Sequence, residues 1–271
     1  MKDRIKDLVN KADSYDANVN RVREYLQEYF LYILYKNKFY NQMVFCGGTA
    51  LRFIHKIRRF SEDLDFSLSQ KVKSLNFSAI VKSLEEEFCA AGYVLTAKHN
   101  TDTNVYKVLL KFDGLLFEYG VSSHKDEKLS IKLEIDVNPP VGGKEDATLC
   151  NNNFMLYTLH YDLASLFAGK THALLTRQYT KGRDWYDFLW YRTKHKELEP
   201  NFEMLNNALA QSGTIKERLD SENWRGYLKA VIDKLDIVKV KDDAFRFLES
   251  PQEADMLTRE NFYAVLDDHK K

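Results

Sequence analysis

The chain reads as an α+β protein, with a mixed sheet and flanking helices in its first part and a helical domain after it. Two segments predict the sheet. In "DLDFSLS", Leu64, Phe66 and Leu68 point one way and Asp63, Asp65 and Ser67 the other; in "LSIKLEIDVNPP", Ile131, Leu133, Ile135 and Val137 share one face and Lys132, Glu134 and Asp136 the other. Strict alternation is the period of a half-buried strand. A third observation predicts the helical part. Beyond Phe154 the apolar period changes, and "HYDLASLFAGKTHALLTR", "GRDWYDFLWYRTKH" and most of residues 201–271 read as helices. The division is placed after residue 155, giving an α/β domain over 1–155 and a helical domain over 156–271.

The elements follow in order. "NRVREYLQEYFLYILYKNKF" carries Val22, Tyr25, Leu26, Tyr29, Phe30, Ile33 and Leu34 at helical spacing, an amphipathic helix. "QMVFC" is a short apolar strand that runs into "GGTALRFIHKI", where the glycines make the turn and Thr49 is placed to cap the next helix. His55, Lys56, Arg58 and Arg59 then fall at that helix's far end, where cations favour the dipole. "NFSAIVKSLEEEFCAAGY" is a helix stopped near Gly92. "YVLTAKH", "NVYKVLLKF" and "LLFEYGV" read as three strands of a meander, and two prolines end the strand that follows them.

Composition bounds the function. At 271 residues, 44% hydrophobic and 30% charged, the chain has ample material for a core, which excludes wholesale disorder. With 40 basic and 40 acidic residues its net charge is zero, so any nucleic-acid site must be a local patch. The three cysteines, Cys46, Cys89 and Cys150, form no CxxC pair, which argues against a disulfide framework or a structural zinc and favours a reducing compartment. The N-terminus is charged throughout and no stretch has the ~20 apolar residues of a membrane span. The expected location is the cytoplasm, with no membrane partner.

The candidate chemistry lies in the acids. Asp63 and Asp65, at i and i+2 on a strand, project together, and like charges that close call for a cation between them. Mg²⁺ takes oxygen ligands and needs only one or two carboxylates plus substrate phosphates. Glu134 and Asp136 repeat the i, i+2 pattern, so if the two strands are neighbours, three or four carboxylates converge and can hold two metals for phosphoryl or nucleotidyl transfer. Gly47-Gly48-Thr49, ahead of a helix, lets the backbone approach a phosphate at that helix's N-terminus. Each motif also has a plainer reading. The glycines can be a simple turn, the acids a solvated strand face, Lys170 a snorkelling side chain, and Asp184 a helix start. Trp185, Phe188, Leu189 and Trp190 read as core rather than as a base-stacking platform, and His124, His160 and His172 show no ligand spacing.

"GGTALR" followed by "RRFSEDLDFSL" resembles the AbiEii-type nucleotidyltransferase toxins, which include the MenT toxins, within the DNA polymerase β-like superfamily. "IKLEIDV" looks like the family's third acidic strand, and "LFAGKTHALLTR" and "GRDWYDFLWY" like its two downstream motifs, so the resemblance covers roughly residues 40–195. It implies a polymerase β-like sheet and Mg²⁺-dependent transfer of a nucleotide from a nucleoside triphosphate, with one Mg²⁺ ion or two. It implies phosphate binding by Gly47, Gly48 and Thr49, and Mg²⁺ ligation by Asp63 and Asp65. Glu134 would be the third acid, with Asp136 as the alternative. Lys170 would contact the triphosphate, and Asp184 is the other essential downstream residue. Many polymerase β-like enzymes carry Gly-Ser at the first motif; here Gly48 stands at the serine's place, with Thr49 next. The implied acceptor is RNA, the 3′ end of tRNA, and the implied setting a type IV toxin–antitoxin pair whose antitoxin is a separate chain. The alternatives are transfer to a small molecule or protein, and a non-catalytic nucleotide- or RNA-binding module.

Overall fold

The computed structural model of the chain describes residues 2–267. The chain divides into two units. The first comprises the chain up to His55, Phe60–Pro139 and Asp146–His160; the second comprises Lys56–Arg59, Pro140–Glu145 and the chain from Tyr161 on.

In the first unit, α1 (Lys2–Leu8) and α2 (Tyr15–Lys36) precede β1 (Met43–Cys46), α3 (Gly47–His55), β2 (Asp63–Leu68) and α4 (Phe77–Ala90). Then come β3 (Leu95–Asn100), β4 (Val105–Phe112), the single turn α5 (Leu115–Glu118), β5 (Leu129–Asp136), β6 (Glu145–Asn151) and β7 (Met155–Tyr161). The strands make one seven-stranded mixed sheet in the order β3-β4-β5-β2-β1-β7-β6. β2 is antiparallel to β1 and parallel to β5, which places the two acidic strands side by side at the sheet's centre.

The helix α2 supports this sheet through both its faces. Its seven apolar positions expected from spacing are all buried, and burial of each large side chain contributes about 1.5–3 kcal/mol. Ser14 caps it by accepting from the Ala17 N–H. Two buried polar residues of α2 also hold loops: Gln27 donates to the Ser61 and Glu62 carbonyls just before β2, and Glu28 accepts from the Asn153 and Phe154 N–H groups just before β7.

Three expectations need correction. "LLFEYGV" is not a strand. Gly114 takes a left-handed turn (φ 66°), the chain winds into α5 with Glu118 N–H donating to the Gly114 carbonyl, and the adjacent Leu115 and Leu116 are both buried. The meander therefore closes with β5 as its third strand. Residues 145–151 and 155–161, unassigned to strands in sequence, are β6 and β7, with β7 parallel to β1 through Phe45 and His160. Their alternation is masked because buried positions of β7 include Thr158 and His160, and the latter is satisfied by the Thr148 hydroxyl at 2.8 Å. Finally, Thr49 does not cap α3. The helix begins at Gly47, and the fully buried Thr49 hydroxyl donates to the Asp63 main-chain carbonyl.

The second unit is helical: α6 (Leu163–Thr176), α7 (Gly182–Lys194), α8 (Phe202–Ser212), α9 (Trp224–Ile232), α10 (Ile237–Phe245), a 3-10 turn at Pro251–Met256 and α11 (Arg259–Asp267). Asp162 starts α6 by accepting from the Ser165 N–H. The core is aromatic. Phe167 stacks on Tyr191 at 4.4 Å and meets Trp224 edge-on at 5.7 Å, while Trp185 and Phe188 are buried against Phe262, as core rather than as a platform. Gly182 lets α7 approach α10, since a Cβ there would overlap the Val240 carbonyl. Among the described residues no helix is long and apolar enough to cross a membrane, and Cys46, Cys89 and Cys150 form no disulfide.

Candidate active site

The sheet register builds the first cluster. Cys46 at the end of β1 lies opposite Asp65 of β2, and Asp65 lies opposite Glu134 of β5. The residue after Cys46 is Gly47, with φ 71°, and a Cβ on it would overlap the Asp65 carboxylate. Only glycine satisfies both conditions at low cost. The turn that exposes the first N–H groups of α3 is therefore packed on the carboxylate itself, and the hydrogen bond from Thr49 to the Asp63 carbonyl ties the same helical turn to the other acid. Because that hydroxyl is committed, what Gly47-Gly48-Thr49 offers a phosphate is main-chain N–H.

Gly47→Ala is thus expected to combine backbone strain of about 1–3 kcal/mol with displacement of Asp65. Nucleotidyl transfer should fall about a hundredfold, in an assay run beside a thermal melt to separate rate from fold.

Asp63 and Asp65 share a half-exposed face while Leu64 and Phe66 enter the core. Between Asp63 and Glu134 stands a residue that sequence reasoning passed over. The Lys132 ammonium lies 3.5 Å from Asp63 Oδ2 and 3.2 Å from Glu134 Oε2, and Lys107 lies 3.0 Å from Glu134 Oε1. Burial works against the Lys132 charge, but Asp63 and Glu134 outweigh it and raise its pKa. Burial likewise opposes ionisation of Glu134, yet Lys107 and Lys132 hold its pKa below the usual range. Asp136 sits two pairs further along, opposite Ser67, and burial raises its pKa against a single opposing N–H from Asn138. The strands are neighbours, but among the described residues no group of three or more His, Cys, Asp or Glu side chains is arranged to hold a metal. The Asp63–Asp65 pair alone still meets what Mg²⁺ asks of a protein when substrate phosphates and water complete its shell.

The second cluster lies in the helical unit. Lys170 on α6 reaches two carboxylates of α7, Asp184 Oδ1 and Asp187 Oδ2, each at 2.6 Å. Arg177 lies 2.8 Å from Asp184 Oδ2. Arg59 closes the network with a bidentate pair to Asp187 at 2.5 and 2.6 Å, both side chains fully buried. Arg59 is therefore not on an exposed helix end. The chain leaves α3 after His55, Lys56 takes a left-handed turn (φ 56°), and Arg59 goes inside. Arg183 is buried with its guanidinium 3.8 Å from the Phe247 ring centre. Three cations thus face two carboxylates, which leaves an excess of positive charge.

Burial by itself would raise the Asp184 pKa, but Lys170 and then Arg177 outweigh it and bring it down to about 2. A carboxylate with a pKa lowered on folding stabilises the protein above its unfolded value of about 4 and loses that contribution as pH falls through the folded value. The stability gap between wild type and Asp184→Asn, followed by thermal melts, is expected to close between about pH 4 and pH 2.

The family model described as "Nucleotidyl transferase AbiEii toxin, Type IV TA system" matches residues 29–265. The chain belongs to that family. It is an AbiEii nucleotidyltransferase, and the match spans both clusters. No curated protein matches the chain. Two solved structures resemble this AbiEii protein in fold. One, "putative nucleotidyltransferase from H. pylori", is 18% identical with a TM-score of 0.56 and covers 90% of this chain and 95% of its own. The other, "JHP933 from Helicobacter pylori", is 17% identical with a TM-score of 0.54, covering 90% and 92%.

Proposed function

We propose that this AbiEii protein acts in the cytoplasm, transferring a nucleoside monophosphate from a nucleoside triphosphate to the 3′ end of tRNA, as the toxin of a type IV pair whose antitoxin is a separate chain. The observation that carries the reading is the seating of the Gly47 turn on Asp65, since it supports phosphate binding and cation binding at one place. The N–H groups of Gly47, Gly48 and Thr49 hold triphosphate oxygens. Asp63 and Asp65 hold Mg²⁺, which when bound offsets the triphosphate charge and lowers the pKa of the attacking hydroxyl. The acceptor oxygen attacks the α-phosphorus, the bond to the bridging oxygen breaks, and pyrophosphate leaves. Lys170 contacts the triphosphate, its ammonium fixed by two carboxylates. Asp184, locked between Lys170 and Arg177, is a positioning residue in this scheme. Glu134 is the third acid by register with Asp65, and Lys132 and Lys107 hold it ionised.

The test of the acceptor is transfer of label from each of four α-labelled nucleotides to total RNA, before and after periodate oxidation of the RNA 3′ ends. Oxidation is expected to remove labelling. Labelling that survives oxidation, or that enters protein or metabolites instead, contradicts the tRNA 3′-end assignment.

A further inference from the structure

The helical unit contains a second feature, which shares Arg177 and Asp184 with the cluster around Lys170. A pocket of about 450 Å³ opens where the segment after α6 meets α9, within the size range of small-ligand sites. Its lining joins apolar side chains, Leu174, Val231 and Leu235 among them, to the cations Arg177, Lys181 and Lys234. The one carboxylate in its lining is Asp184, which Lys170 and Arg177 already neutralise. Lys181 and Lys234 make no ion pair among the described residues. Burial and then the neighbouring Arg183 lower the Lys181 pKa, with Arg177 and Lys170 adding to the fall and Asp184 opposing it. Tyr179 stands at the mouth, 67% exposed, with the Arg177 guanidinium 5.7 Å from its ring centre.

Surplus cations in a concave site call for an anion, and an exposed aromatic ring beside them suits a planar base. We propose that this pocket binds one nucleotide unit, its phosphate between Lys181 and Lys234 and its base on Tyr179. The unit can come from an RNA strand or from free nucleoside triphosphate. What use the pocket has rests on the transfer reading; whether it binds does not.

The experiment therefore measures binding without turnover. Fluorescence polarisation of a labelled ten-nucleotide single-stranded RNA, and separately of a fluorescent ATP analogue, is recorded for the full chain, Asp65→Ala, Tyr179→Ala and the Lys181→Gln/Lys234→Gln double variant, each checked by a thermal melt. Tyr179→Ala is expected to weaken one of the two probes about tenfold. The double variant should weaken the same probe and flatten its salt dependence by about 0.7 per lost phosphate contact on a single strand. The affected probe names the source. Asp65→Ala is expected to leave RNA binding at this pocket unchanged, so loss of transfer and loss of binding are separable. If both pocket variants fold and bind both probes as wild type does, the proposal is wrong.

Discussion

With Asp65 as a ligand of the proposed Mg²⁺ site, Asp65→Ala is expected to lower nucleotidyl transfer by about a thousandfold, because a metal site that loses a ligand forfeits several kcal/mol of charge stabilisation. Asp65 is held from three sides: β1 pairs with it at Cys46, β5 at Glu134, and the Gly47 turn packs on its carboxylate. Its side chain is half-exposed, so its removal should cost little stability, within about 1 kcal/mol. The isosteric Asp65→Asn separates charge from shape. Equal loss in both variants assigns the effect to the carboxylate's charge. A melting temperature several degrees below wild type would assign it to packing instead.

The largest stability effect is expected at Asp187. Its carboxylate is fully buried and receives Arg59 through two hydrogen bonds and Lys170 through a third contact. Asp187→Ala leaves the Arg59 guanidinium buried without its partner. Removing one partner of such a pair costs about 3–5 kcal/mol, or roughly 10 °C in melting temperature for a chain of this size. Replacing both partners with apolar residues, Arg59→Met with Asp187→Leu, should recover most of the loss, since a buried pair is often no better than well-packed hydrophobic groups. Circular dichroism melts of the two variants beside wild type decide it. A single variant that melts within 2 °C of wild type would show that the pair contributes little.

What could be read from the sequence was what alternation and helical spacing expose. The strands carrying Asp65 and Glu134 were legible because their apolar faces are unbroken, whereas their adjacency stood only as a condition that the sheet register now supplies. β7 was not legible, because a buried Thr158 and His160 break the pattern, the first donating to the Leu159 carbonyl and the second meeting the Thr148 hydroxyl. The left-handed turn at Lys56 leaves no trace in residue type, so Arg59 read as surface when it is the most deeply committed cation of the run. Lys132 and Lys107 had a signal that went unused. Lys132 sits two residues before Glu134 on the same strand face, and Lys107 pairs with Glu134 across β4 and β5. Lys170 and Asp184 were found through family resemblance, not through periodicity; their geometry adds Asp187 and Arg177 to the group.

The central claim is that the Gly47 turn and the Asp63–Asp65 pair serve nucleotidyl transfer, with the bond broken at the α-phosphorus. It is tested most directly by supplying the wild-type chain with Mg²⁺, total RNA and triphosphates labelled in parallel at the α- or the γ-position. Transfer of α-label to RNA, with γ-label released as pyrophosphate and both lost in Asp65→Ala, is the expected result. Transfer of the γ-label to the acceptor, or α-labelling that Asp65→Ala retains in full, would contradict it.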